Sequence, residues 1–161
     1  MLGQREKKIF LNIAEGKIVR RTDRGQVERY DFVEGSLERI YTKEREFRGE
    51  KVPYWYLDLR DETSGDLYTL GINANSGVWR CIIFCLGSPD FNPLLPLRLS
   101  PYMSGNYCRV SVYSGEAKLD WVEGIPQVEE IEVEGRRVKS VKKREEFISR
   151  IVDRVNRCVG A

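Results

Sequence analysis

Three sets of side chains in this 161-residue sequence have the types and spacing to do chemistry. The first is carboxylates, since Asp58, Asp61, Glu62 and Asp66 lie close together and a pair of carboxyl groups held apart can divide general acid and base work. They straddle Thr63-Ser64-Gly65, however, which reads as a hairpin loop, and carboxylates in such turns are usually solvated. The second is thiols. Cys81 and Cys85 sit four apart in a helical pattern, where two small core-facing side chains are the simpler reading. A zinc site would need two further ligands, and the chain has no histidine to supply one. That absence also removes a Ser-His-Asp triad, a Cys-His dyad and a histidine base, and no glycine loop of the phosphate- or dinucleotide-binding type is present. No catalysis and no cofactor are expected. The third set interleaves cations with tyrosines. Arg39, Tyr41, Lys43 and Arg45 alternate along one segment, Tyr54 and Tyr56 along the next, and Tyr107, Arg109 and Tyr113 along a later one, with Lys17, Arg20 and Arg21 upstream. Ring faces stack on bases and cations neutralise phosphates, so these types together suit single-stranded nucleic acid. The same residues also make good cross-strand pairs on any exposed sheet, and that reading stays open beside the first.

Any such basic surface must be local. The chain carries 27 Lys and Arg against 25 Asp and Glu, a net charge of only +2, so the whole molecule exerts little long-range pull on a polyanion. Hydrophobic residues make up 41% and aromatics 11%, ordinary for one globular domain. The N-terminal residues are charged and hold no apolar stretch of signal-peptide length. No later segment approaches the ~18 to 20 apolar residues of a membrane span. A cytoplasmic location without a membrane partner is expected, with Cys81, Cys85, Cys108 and Cys158 reduced and partly buried.

The elements that would position these residues follow from periodicity. Residues 8–13 read as a strand with Ile9, Leu11 and Ile13 on one side, and 17–22 and 26–32 follow across turns at Glu15-Gly16 and Asp23-Arg24-Gly25. This extension over about 8–32 is basic, because residues 5–29 hold eight Lys or Arg against four acids. Blocking of edge-to-edge aggregation explains those cations as well as a nucleic-acid contact does. Residues 35–47 form a long strand whose alternation is imperfect, which predicts a bulge. In 52–59 the pattern is clean, with Trp55, Leu57 and Leu59 inward and Tyr54, Tyr56 and Asp58 outward. A third strand over 66–72 points Tyr68, Leu70 and Ile72 inward and leaves Leu67 and Thr69 outside. Ser76 can cap a helix running through Leu86 with Gly87 as its stop, although Cys81 to Leu86 could also be extended. Residues 95–100 read as an edge strand because of Pro96, with Leu95, Leu97 and Leu99 inward, and 101–106 as a loop. Tyr107 to Tyr113 then forms a hairpin with 117–122, whose inward set would be Ala117, Leu119 and Trp121.

Beyond that, residues 128–141 predict a hairpin about Glu134-Gly135, with Glu130, Glu132 and Glu134 facing Arg136, Arg137 and Lys139 in exposed ion pairs of ~0.2 to 1 kcal/mol each. The last segment, 143–159, is an amphipathic helix whose stripe of Phe147, Ile148, Ile151, Val152, Val155 and Val159 must pack on the sheet or on another subunit. Three strands, a helix and two strands between Gly35 and Tyr113 is the order of the oligonucleotide/oligosaccharide-binding (OB) fold. The expected fold is therefore mainly β, a single OB-like domain over 1–161. It would comprise a five-stranded barrel core with a helix between strands 3 and 4, an N-terminal hairpin extension, and an extra β-hairpin plus amphipathic helix over about 128–159.

Several short patterns add to this. Gly16-Lys17-Ile18-Val19-Arg20-Arg21, Tyr30-Asp31 ahead of Gly35-Ser36-Leu37-Glu38-Arg39-Ile40, Trp55-Tyr56-Leu57-Asp58-Leu59, Pro101-Tyr102 and Leu119-Asp120-Trp121 together resemble single-stranded DNA-binding proteins of bacteriophages and mobile elements. The resemblance spans roughly residues 9–155. It implies a barrel that coats single-stranded DNA during replication or recombination without sequence preference. RNA stands as a second polymer, and self-association would run through edge strands or the C-terminal helix. Recruitment of partners by an acidic tail is not expected, because residues 154–161 include Arg154 and Arg157 and no acid. The alternative is a protein-interaction or assembly module built on the same small barrel.

Overall fold

The computed structural model describes residues 1–3 and 7–160. Arg5 and Glu6, counted in the basic N-terminal segment, and Ala161 lie outside them. The chain is mainly β. In order, it forms β1 (Lys8–Ala14), β2 (Lys17–Arg21), β3 (Val27–Tyr30), β4 (Val33–Phe47), β5 (Glu50–Arg60), β6 (Leu67–Asn73), α1 (Gly77–Leu86), β7 (Leu97–Ser104), β8 (Tyr107–Ser114), β9 (Ala117–Lys118), β10 (Glu129–Val133), β11 (Arg136–Ser140) and α2 (Lys142–Val159).

One nine-stranded mixed sheet runs β3-β2-β1-β6-β5-β4-β7-β8-β9. Its centre is the antiparallel meander β4-β5-β6, and β4 reaches across to β7 through Val33, Glu34 and Gly35 only. The expected bulge is present where the β4–β5 register shifts between Leu37 and Arg39. It has a consequence for function. Leu37 and Ile40 are both buried, so the one-residue reset at Glu38 turns Arg39, Tyr41, Lys43 and Arg45 to the outer face.

The ladder does not close into a barrel among the described residues. The N-terminal hairpin is no appendage, since β1 pairs parallel with β6 through Lys8 to Leu11 and takes the place beside it. The sheet instead curls by packing, with β2 against β7. At Gly16, which turns at φ +77°, an added Cβ would lie 3.1 Å from the Met103 backbone nitrogen. Only glycine allows that approach.

The segment at Cys81 to Leu86 is helical. The Ser76 side chain accepts a hydrogen bond from the Trp79 N–H at the start of α1, and at its end the Gly87 N–H donates to Ile83 and the Ser88 N–H to Cys85. Its apolar residues pack with Leu57, Leu59, Leu70, Leu97, Leu99 and Val112 in the core, where Trp79 stacks on Trp55 at 4.9 Å. The stripe of α2 is covered within the chain: Ile148, Ile151, Val152 and Val155 are buried and pack against α1 and β4. Beyond Gly35, β4 leaves β7 and its backbone loses that neighbour. The Asn156 side chain replaces it, accepting from the Ile40 N–H and donating to the Ile40 carbonyl, both at 2.8 Å.

Other boundaries moved. β7 continues through Pro101 to Ser104, because it pairs with β4 only over Leu97 to Leu99 and past that point the edge has no ladder bond for proline to break. Leu95 lies outside the strand and is exposed. β9 stops after Lys118, for the chain then crosses α1, fixed by Leu119 N–H to Val112 and Val122 N–H to Phe84. That crossing leaves Ala117 and Trp121 exposed, whereas both were expected inward. The β10–β11 hairpin forms a separate two-stranded sheet about the expected Glu134-Gly135 turn, with Glu130 opposite Lys139 and Glu132 opposite Arg137, while Glu134 lies in the turn itself and Arg136 faces Val133. No helix among the described residues is long and apolar enough to cross a membrane.

Candidate nucleic-acid interface

On the outer face of the meander the ladder aligns what the sequence alternates. Tyr41 lies opposite Tyr56 and Lys43 opposite Tyr54, while Tyr56 faces Gly71 on the next strand. The rings form a ladder. Tyr41 stacks on Tyr56 at 5.3 Å with a 20° tilt, and Tyr54 follows at 6.4 Å. Cations cap it, with the Arg39 guanidinium 4.3 Å from the Tyr41 centroid and that of Arg45 5.0 Å from Tyr54. Each exposed contact of this kind is worth only ~0.5 to 1 kcal/mol, so a stacking base can displace it. Gly71 matters because the Tyr56 ring lies over it. A Cβ there would come 3.0 Å from Cε1 of that ring.

Beneath the rings sits Asp58, only 5% exposed. Its carboxylate accepts from Thr69 Oγ1 at 2.7 Å and from the Tyr41 hydroxyl at 3.4 Å, and pairs with Lys8 Nζ at 3.6 Å. It is therefore a buried anchor, not the solvated turn carboxylate expected. Thr69 and Leu67, expected outside, are buried as well. Desolvation draws the Lys8 ammonium down, but its hydrogen bond to Tyr41 and the Asp58 charge outweigh this and hold its pKa above the ordinary lysine value. Asp61 behaves as a turn residue. The Thr63 and Ser64 N–H groups donate to it and keep its pKa below the usual carboxylate range.

The platform opens into a cleft of about 590 Å³ lined by Tyr54, Tyr56, Arg45, Gly71, Asn73, Phe10 and Arg21 among others. A second cleft shares Phe10 and Arg21 and continues past Lys7, Lys8, Thr22 and Arg24. Asp23 is the single acid among the described residues that line either one. The result is a groove across β5, β6, β1 and β2 with aromatic rings on its floor and cations along it.

Of the residues expected to bind, Arg39, Tyr41, Lys43, Arg45, Tyr54, Tyr56 and Arg21 come together here. Arg20 reaches only the second cleft, and it also lines the opposite side with Tyr30, Phe32 and Tyr68, 3.9 Å from Glu28. Lys17 is paired with Asp31. Tyr107 and Arg109 line a different cleft with Arg80 and Trp121, and Tyr113 lies apart again, beside Arg98 and Glu116. The separation arises because β8 is reached only through β7, which joins β4 at the end remote from Tyr41. Lys8, Phe10, Lys7 and Arg24 are additions. Phe10 carried a usable signal: an aromatic residue, 65% exposed in the structure, at the outward position between Ile9 and Leu11. Among the described residues no three potential metal ligands cluster. The chain matches no protein-family model, no curated protein and no solved structure at a significant level.

Proposed function

We propose that this chain is a non-catalytic protein that binds single-stranded nucleic acid without sequence preference, with DNA as its polymer in replication or recombination in the cytoplasm. One observation carries the reading: a groove lined by Tyr54, Tyr56 and Phe10 together with Arg45, Arg21, Lys7 and Arg24. Rings offer faces that any base can use, and cations meet the backbone common to all sequences. The order β4-β5-β6-α1-β7-β8, with β7 returning beside β4, supports an OB-like unit at the heart of the sheet. Self-association belongs to the same proposal through the sheet edges β3 and β9, now that the apolar stripe of α2 is covered.

The test is anisotropy of labelled oligo-dT and oligo-rU titrated with the protein at two salt concentrations. Micromolar or tighter binding is expected, with a log-log salt slope of about −2 to −4, corresponding to three to six phosphates at ~0.7 each. The two polymers decide the preference for DNA. No binding to either at ~50 mM salt would overturn the proposal and leave the assembly-module reading.

A further inference from the structure

The cleft that holds Tyr107 and Arg109 has the same chemistry as the platform and lies next to it. It is lined by Gly77, Arg80, Cys81, Tyr107, Cys108, Arg109 and Trp121, with no acid among them. The platform cleft includes Ser76 and Val78 and this one Gly77 and Arg80, so both clefts reach the first turn of α1. That turn contains no acidic residue to repel a phosphate. Neither Arg80 nor Arg109 has a carboxylate partner among the described residues.

Trp121 is the ring in question. The residue is 48% exposed, yet the backbone around it is held on both sides by Leu119 N–H to Val112 and Val122 N–H to Phe84, both at 2.8 Å. The indole rests on Phe84 at 5.2 Å, tilted 55°, which fixes one side and leaves the remainder to solvent. Tyr107, 73% exposed, completes the wall. A half-exposed indole that lines one cleft with two arginines suits a base flanked by phosphates.

We propose that a single strand seated on the tyrosine platform continues over the first turn of α1 into this cleft, where a base stacks on Trp121 and Arg80 and Arg109 take the adjoining phosphates. The inference rests on the nucleic-acid reading above and extends it to a second stacking site.

The chain itself carries the probe. Of its three tryptophans, Trp79 is buried and Trp55 is stacked on it, so Trp121 dominates any emission change caused by a stacked base. Oligo-dT of ~12 nucleotides, within the ~4 to 16 that one OB-like unit covers, should quench wild-type tryptophan emission as anisotropy reports binding. In Trp121→Phe the quench should vanish while binding persists. In the double variant Arg80→Gln with Arg109→Gln the salt slope should become shallower by about 1.4, or ~0.7 per lost phosphate. Binding with unchanged emission, a full quench in Trp121→Phe, or an unaltered slope in the arginine variant each overturns the second site and leaves the platform standing. Absence of binding by anisotropy overturns both.

Discussion

Removing the rings of Tyr54 and Tyr56 together should weaken oligonucleotide binding roughly 60-fold, and the size of that loss follows from what the rings already touch. A base stacked on an aromatic side chain contributes ~1 to 3 kcal/mol. Here the site is not empty beforehand, because Arg45 lies over Tyr54 at 5.0 Å and Tyr41 stacks on Tyr56 at 5.3 Å. Displacing an exposed cation–π contact or ring stack forfeits ~0.5 to 1 kcal/mol, so the net gain per ring is about 0.5 to 2 kcal/mol. Two rings then carry about 2.5 kcal/mol at the centre of the range, which at 1.4 kcal/mol per decade is the 60-fold stated. Anisotropy with oligo-dT at fixed salt measures it. The cations remain in Tyr54→Ala with Tyr56→Ala, so the salt slope should stay the same while affinity falls; a loss through misplaced charges would alter the slope instead. Tyr30→Ala is the control, since that ring lies with Phe32 and Tyr68 away from the groove. Affinity within twofold of wild type in a folded double variant would refute the platform.

Other residues offer independent checks. Gly71→Val should cut affinity with little effect on the unfolding midpoint, because its side chain meets the Tyr56 ring, which can swing away, and not backbone; unchanged binding would show that the position of that ring is unimportant. Asn156→Ala should cost about 1 to 3 kcal/mol in urea unfolding, since it strips both partners from the backbone of Ile40, a residue 2% exposed. An unmoved midpoint would mean that water serves that edge equally well. Burial pushes the Cys85 thiol up to about 12, so near pH 8 it should stay protonated and unreactive toward a thiol reagent until the chain is unfolded, while exposed Cys158 reacts at once. Rapid labelling of Cys85 in the folded protein would contradict its place behind Leu119.

Much of this architecture was legible residue by residue. The alternation of Trp55, Leu57 and Leu59 against Tyr54 and Tyr56 needs only the two-residue period of a strand, and the structure keeps the leucines buried and the tyrosines on the outer face. The conflict in parity along β4 revealed the bulge that aims Arg39 and Tyr41 outward. Ser76 and Gly87 marked both ends of α1 through their capping chemistry. Each of these is settled by neighbours a few positions away.

What the sequence by itself could not decide depends on partners far along the chain. That β1 would pair parallel with β6, carrying Lys8, Phe10 and Arg21 to the tyrosines, is a matter of sheet order, to which local periodicity is blind. The same holds for the division of the expected cations: Arg20 and Arg21 look equivalent in sequence but leave a strand on opposite faces, and Arg21 lines both clefts of the groove while Arg20 reaches only the second and meets Glu28 on the other side. Alternation says which residues share a face. Only the folded sheet says which faces meet, because the free energy that selects strand neighbours is spread over long-range burial that no single segment encodes.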